Sequence, residues 1–358
     1  MKVSIARPQE LDETQLRRWR DLQRDDERLA NPFLSPEFAL AVGRARAAAR
    51  VALLEDGQDN TGFFSYEHGL FGIGRPMGTG ISDAQGMVHS PRLGWDAEEL
   101  LASCRLAVWE FDHLLAYQAP FARYHVVSER SPTIDLSAGF DAYAANRRHR
   151  AKEARRMQRM LEREVGEVAF AFDSRDKECL RLLMRWKSAQ YRRTGRFDRF
   201  ARRSVVQVVE ELMETHASGC SGVLSVLYAA GQPIAIRFGL RSHGVLCGWF
   251  PAYDPEFAKY RAGSLLLWKV AEAAPSHGIV RIDLGKGRED YKRDFANGDM
   301  QLAEGCVARR TVTAQLRAIQ RGPRRAVMDF VLSRPRLRIG ARRALRGLGY
   351  VRTMGSTR

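Results

Sequence analysis

Apolar positions recur with clear periods along residues 168–308, and this stretch yields the most legible run of elements in the chain. Val168–Phe172 is a short apolar strand, and Lys177–Tyr191 and Ser204–His216 carry apolar residues three and four apart, the spacing of a helix with one buried face. Gly222–Tyr228 and Pro233–Leu240 read as strands joined by a tight turn at Ala229-Ala230-Gly231-Gln232, and Val245–Phe250 adds a third. A helix over 263–276, a strand over 279–284, a helix over 288–296 and a strand over 300–308 complete the order β-α-α-β-β-β-α-β-α-β.

The first 138 residues mix shorter elements. Lys2–Ala6 reads as a strand and Leu11–Leu29 as a helix that Asn31-Pro32-Phe33 breaks. Ser35 is placed to cap the next helix, with Pro36 at its first position. Val51–Leu54 and Gly62–Tyr66 flank a turn, and a glycine-rich loop spans Gly72–Gly86. Asp96–Val108 is expected to be helical, Tyr124–Val127 and Thr133–Leu136 to be strands. Residues 139–165 read as one long basic helix, capped by Ser137 or Asp141.

At 358 residues the chain exceeds a comfortable single core, so two units are expected. The boundaries are set at 1–138, a linking helix 139–166, a second unit 167–309 and an Arg-rich tail 310–358. Fourteen arginines and one acid, Asp329, give residues 308–358 a net +13, leaving only +3 for the preceding 307 residues. Basicity therefore belongs to the tail, not to the body. Leu316, Ile319, Val327, Phe330, Val331 and Leu332 interleave with its arginines, as in a helical extension or a segment resting on an anionic membrane surface. Nucleic acid is less favoured, because no reader motif accompanies the charge. No apolar run approaches a membrane span and the N-terminus lacks a signal-peptide core, so a cytoplasmic protein is expected, peripheral to the membrane at most. Cys104, Cys179, Cys220, Cys247 and Cys306 are widely spaced, which predicts neither disulfides nor a metal site.

Candidate chemistry gathers between 244 and 295. Arg261-Ala262-Gly263-Ser264 meets a helix start, where free N–H groups and the helix dipole favour phosphate. Gly263 lets an anion approach the backbone and Arg261 can grip it bidentately; the alternative is a plain loop. Asp283 ends a strand as a ligand-facing group or a turn cap. Lys286, between two glycines, is expected to stand clear of packing and reach developing negative charge. Tyr291 and Lys292 follow one turn later, and Tyr291 is either a proton donor or an ordinary packed residue. Lys187 and Gln190 share a helix face and, with Tyr191 and Arg193, line a polar cleft or end a solvated helix. Asp83, in Ser82-Asp83-Ala84-Gln85-Gly86, is a general base or closes an Asx-turn. The preceding glycine-rich loop lacks the Lys-Ser/Thr of a nucleotide loop.

The segments NPFLSPEF, SDAQG, WKSAQYRRTGRFD, LYAAGQPIAIRFGL, WFPAYDP, RAGSLLLW and GIVRIDLGKGREDYKRDF together resemble the CelD/BcsL-like acyltransferases. These bacterial GNAT-like proteins are associated with cellulose and other polysaccharide biosynthesis, and are distantly similar to FemAB-type peptide transferases. The resemblance covers about residues 31–307. It implies an α/β fold of two tandem GNAT-like acyl-CoA N-acyltransferase units, with mixed, mainly antiparallel sheets flanked by helices. Acetyl-CoA would be the co-substrate, with no metal. Strand 245–250 ending at Phe250, together with Arg261–Ser264, would hold it, although the glycine spacing there is sparser than in most GNAT loops. Tyr291 matches the tyrosine that protonates the leaving thiolate. Lys187, Gln190, Tyr191, Tyr253, Asp283 and Lys292 would face an amine or sugar acceptor. An aminoacyl-tRNA-dependent transferase, with helix 146–163 and the tail as RNA surface, and a non-catalytic scaffold of a polysaccharide-synthesis complex are the alternatives.

Overall fold

A computed structural model describes residues 1–287 and 289–317; tail positions from 318 onward, Ile319, Val327, Phe330, Val331 and Leu332 among them, lie outside the described residues. Strand β1 (Lys2–Ala6) leads into α1 (Glu13–Asp25) and α2 (Pro36–Ala45) before β2 (Ala49–Glu55) and β3 (Thr61–His68). The first helix is shorter than its apolar spacing predicts: Asp12 caps it by accepting from the Gln15 N–H, and Asp26 is already extended. Ser35 caps α2 as expected, accepting from the Phe38 N–H at 3.0 Å.

Strands β4 (Ile73–Pro76) and β5 (Met87–His89) precede α3 (Ala97–Ser103), β6 (Val108–Leu115) and β7 (His125–Asp135). Two expectations are corrected here. The helix predicted through Val108 stops at Ser103, Arg105 turns with φ +54, and the chain becomes β6, burying Trp109 and Phe111 while Asp112 faces out. The two short strands expected at 124–127 and 133–136 are one continuous strand, β7.

The predicted helix over 139–165 is two helices, α4 (Phe140–Asn146) and α5 (Arg148–Glu164). Arg147, at φ −123 and ψ 40, breaks them, and its guanidinium bonds the Ala296 carbonyl. Neither Ser137 nor Asp141 caps α4; Gly139 occupies that position at φ +85, a conformation that favours glycine. Ala151, Ala154, Met157 and Leu161 form the buried stripe of α5.

From there the expected order holds: β8 (Val168–Ala171), α6 (Lys177–Arg193), α7 (Arg203–Met213), a two-residue β9 (His216–Ala217), β10 (Cys220–Ala229), β11 (Gln232–Ser242) and β12 (Val245–Tyr253). Then come α8 (Ala262–Ala273), β13 (Arg281–Asp283), α9 (Asp290–Phe295) and β14 (Gly298–Ala308).

All of these strands join one mixed, mainly antiparallel sheet in the order β1-β2-β3-β4-β6-β14-β7-β13-β12-β11-β10-β8, with β5 on β3 and β9 on β10. The two ends repeat each other. β1-β2-β3-β4-β6 and β8-β10-β11-β12-β13 each run antiparallel and close on a parallel pair, β4–β6 and β12–β13. Each half then lends its last strand to the other: β7 pairs with β13, and β14 pairs with β6. Helices cover both faces of the second half. α2, α6 and α7 share a core with Leu224, Phe238 and Phe250, while α5 and α8 pack with Ile282 and Phe295 on the other side. Removing each such large side chain from water contributes about 1.5–3 kcal/mol.

Candidate active site

β12 and β13 pair over only three residues, from Val245↔Arg281 to Cys247↔Asp283, yet β12 continues to Tyr253. A register shift against β11 leaves Trp249 as an extra residue between Gly248 and Phe250, a bulge that bends the strand where the pairing ends. The Trp249 indole N–H donates to the Ile81 carbonyl at 2.7 Å, tying this bend to the first half of the chain.

Across the opening, Asp283 is the turn cap that the sequence allowed. It is buried and accepts from the Gly285 N–H at 2.9 Å and from the Ser131 hydroxyl of β7. Lys292, also buried, donates to the Gly285 and Lys286 carbonyls at 2.9 and 3.0 Å and pairs with Glu289 at 3.3 Å. These bonds lock the turn into α9. Lys286 does not stand clear: its ammonium donates to the Glu304 carboxylate and the Asp112 carbonyl, both at 2.6 Å.

The loop at 82–86 is fastened to β6 by Gln85. Its side-chain oxygen accepts from the Asp112 and His113 amides at 2.9 and 3.0 Å, and its side-chain amide reaches the Asp112 carboxylate at 2.6 Å. Asp83 is thereby held at the opening. The Asx-turn does not form; Ser82 bonds the Ala84 carbonyl instead, and the Asp83 carboxylate makes no hydrogen bond among the described residues. It faces His113 Nε2 at 3.8 Å, and His113 Nδ1 lies 3.0 Å from Asp112. Burial raises the Asp83 carboxyl above the usual range, with Asp283 adding to the rise and His113, Arg199 and Lys292 opposing it. Crowding by its neighbours would raise Asp112 too, although its side chain is largely exposed, but the His113 and Gln85 hydrogen bonds and the His113 and Lys286 charges win and bring it to about 2.

Helix α6 forms a third wall. The Lys187 ammonium donates to the Pro251 carbonyl at 2.9 Å and lies 5.4 Å over the Tyr191 ring. Burial, reinforced by Arg196, Arg199 and Arg237, lowers it to about 8. Burial raises the Tyr191 phenol, and Asp83 is among the charges acting on it. The Gln190 side-chain oxygen is buried without a partner among the described residues, whereas Arg193 is exposed on the last turn. Ser188 bonds Asp198, which also accepts from the Phe200 N–H and so orders the loop carrying Arg196 and Arg199. Tyr291 on α9 is half-buried, and its hydroxyl makes no hydrogen bond among the described residues. Burial raises its pKa against the pull of Arg237.

At the far end of β12, Arg261 takes φ +51 as the residue before α8, and its guanidinium pairs with Glu153 of α5. Ala262 is buried, and Ser264 lines a groove with Arg261 and Glu153. The Tyr253 ring covers Gly263 so closely that a β-carbon there would sit 3.3 Å from it. A phosphate at this helix start would therefore meet backbone N–H groups rather than Arg261. Phe250 lies in the core, stacked on Trp249 at 4.7 Å between ring centroids, away from the groove.

The structure thus gathers Asp83, Asp283 and Lys292 around the turn at Gly285, with Tyr191 in the field of Asp83 and with Lys187 and Tyr291 both in the field of Arg237, and places Arg261–Ser264 and Tyr253 at the distal end of β12. Sequence reasoning passed over the Asp112–His113 pair, which sits on β6, a strand left unassigned beyond its first residue, Val108. It also passed over Arg237, whose signal was plain: one charge inside the apolar strand PIAIRFGL.

Residues 147–293 match the family model described as an acetyltransferase (GNAT) domain. No curated protein matches the chain in sequence. Solved structures share the fold, three of them as follows. FemX is 8% identical, with a TM-score of 0.58 over 86% of this chain and 96% of its own. A conserved protein of unknown function from Bacteroides thetaiotaomicron is 13% identical, with a TM-score of 0.54 over 86% of this chain and all 100% of that one. The C-terminal domain described as part of a lysylphosphatidylglycerol synthetase from Agrobacterium fabrum is 12% identical, with a TM-score of 0.51 over 84% and 93%. The fold is GNAT-like, and the matched segment spans the opening from α5 to α9.

Proposed function

We propose that this protein transfers an acyl group, acetyl in the simplest case, from an acyl-CoA thioester to an amine or sugar hydroxyl of a cell-envelope or exopolysaccharide precursor. The observation that carries the reading is the convergence, where β12 parts from β13, of a carboxylate with raised pKa and a phenol with raised pKa, Asp83 and Tyr291. The first is a stronger base than an ordinary carboxylate, and the second holds its proton more tightly than an ordinary phenol until a departing thiolate takes it.

In the proposed reaction the donor lies along β12 with its pyrophosphate at the start of α8. The distance fits: five residues from Gly248 to Tyr253 span about 16 Å of strand. Asp83 removes a proton from the acceptor, whose nitrogen or oxygen attacks the thioester carbonyl. The new bond forms, the oxyanion is held by a backbone N–H of the bulged strand, and the C–S bond breaks as Tyr291 gives its proton to the departing sulfur. His113, held by Asp112, stands beside Asp83 and is placed to steady the carboxylate. The polysaccharide setting rests on the sequence resemblance.

One observation favours a second reading. Arg148, Arg155, Arg156, Arg159 and Arg163 of α5 are exposed, a surface suited to the RNA of an aminoacyl-tRNA donor. Equilibrium titration with acetyl-CoA and, separately, with charged tRNA decides between them. The expected result is saturable acetyl-CoA binding that Gly263→Val weakens. Binding of charged tRNA alone overturns the acyl-CoA reading, and binding of neither leaves a scaffold.

A further inference from the structure

Arg237 sits in the middle of β11 and is only 5% exposed. Its guanidinium forms no ion pair and no hydrogen bond among the described residues, and its Nε is a buried donor without a partner. The acid nearest in influence, Asp283, is already engaged by Ser131 and the Gly285 amide. The chain nonetheless makes room for this charge. A β-carbon at Gly248 on the neighbouring strand would fall 1.7 Å from Nη2, so the glycine leaves the guanidinium the place it occupies and any larger residue would make it shift. Burying a cation without a counter-charge is costly, and a cradle kept open for one implies that the counter-charge arrives with a ligand.

Location narrows the ligand. Gly248 marks the place where β12 parts from β13, and Arg237 acts on Tyr291 and Lys187, both at the opening. Arg237 pairs with Pro251 along the backbone, but its guanidinium reaches back to Gly248 and so lies at the reacting end, away from a pyrophosphate bound at the start of α8. Arg196, Arg199 and Lys187 extend the positive field on the α6 side.

We infer that the reacting end of the substrate carries a carboxylate or phosphate group, on the acceptor or on the transferred acyl chain, and that Arg237 binds it. The inference rests on the acyl-transfer reading for its geometry. It narrows the substrate to anionic species such as amino acids, acidic amino sugars or dicarboxylic acyl-CoA, and sets neutral saccharides aside. A planar guanidinium fork suits either oxyanion bidentately.

The first test is thermal unfolding of the full chain and of Arg237→Leu and Arg237→Lys in sodium malonate, and in sodium phosphate, against sodium chloride at matched ionic strength. The expected result is an added stabilisation of the unsubstituted protein by malonate or phosphate that Arg237→Leu lacks and Arg237→Lys partly keeps. In chloride alone, Arg237→Leu should melt at or above the parent temperature, since it removes a buried unpaired charge. An equal response to the anions in parent and Arg237→Leu overturns the inference. So does an Arg237→Leu protein that is strongly destabilised in chloride, which would make the arginine structural.

The second test compares binding of succinyl-CoA with acetyl-CoA, and of glycine with glycinamide in the presence of acetyl-CoA. A preference of about tenfold or more for the anionic member of one pair, lost in Arg237→Leu, locates the charge on acyl group or acceptor respectively. Acetyl-CoA binding with no anionic preference in either pair overturns this inference and leaves acyl transfer standing. An Arg237-dependent malonate response without any acyl-CoA binding does the reverse.

Discussion

The Asp83 carboxylate, carried by the first half of the chain, faces the backbone of Gly285 in the second: a β-carbon at residue 285 would lie 3.5 Å from Oδ2. The site is thus built from both halves, with the proposed base from one and the splayed strands from the other. Gly285 takes φ +76, so the turn that brings the two together favours glycine for its conformation.

Asp83→Asn should reduce kcat by about 10²–10⁴-fold while leaving acetyl-CoA affinity unchanged. The parent rate should rise with pH through the raised Asp83 pKa, and the asparagine variant should lose that limb. Stability should move the other way. Because the folded carboxyl holds its proton more tightly than the unfolded one, stability is lost as pH rises from the unfolded value to the folded one. Above that window Asp83→Asn should melt higher than the parent. Matched pH–rate and pH–Tm profiles check both, and a pH-independent parent rate would remove Asp83 from the mechanism.

Tyr291→Phe should lower kcat about 10²-fold with a natural thioester and much less with a donor whose leaving group needs no proton. Its KM for acetyl-CoA should hardly change, since the hydroxyl makes no hydrogen bond among the described residues that its loss would disturb. Comparing an alkyl thioester with an activated aryl thioester measures this, and an equal loss with both rules out a role in leaving-group protonation.

Gly248→Ala should destabilise the parent by about 1–3 kcal/mol, because the guanidinium of Arg237 has to move. In an Arg237→Leu background the cost should change, whereas strictly additive losses in a double-mutant cycle would show that the two residues do not share a space.

Lys286→Met should cost about 1–2 kcal/mol, discounted for the partial exposure of Glu304, because the ammonium ties the turn after β13 to β6 and β14. Its kcat should stay within about threefold of the parent. A loss as large as that of Asp83→Asn would instead give Lys286 a direct part in the chemistry.

Local pattern carried most of the second half. Lys177–Arg193 and the β10–β11–β12 meander declare themselves by period and turn residues, and so did the order of the elements. What stayed hidden depends on contacts between distant segments. Val108–Leu115 follows a helix without a proline or glycine to mark the change, and only its place against β4 and β14 makes it a strand. The exchange of β7 and β14 leaves no local trace, because each strand alternates as it would beside any neighbour. At the site, Tyr291 and Asp83 stood out by residue type and position, each with an ordinary structural role as the equal alternative. The engagement of Lys286 and Arg261 was not, since the acids that hold them, Glu304 and Glu153, are 18 and 108 residues away. Arg237 was legible only as an anomaly, and its meaning required seeing that no acid comes to meet it.

The exchange of last strands also sets a timetable for synthesis. β6 and β7 bracket a gap that only residues 298–308 fill, so the first half waits with two unpaired edges until the ribosome has made nearly all of the described chain. Such edges invite pairing with other chains. A product truncated before Gly298 keeps both of them bare, and its expected fate in the cell is aggregation or proteolysis rather than survival as a smaller working enzyme.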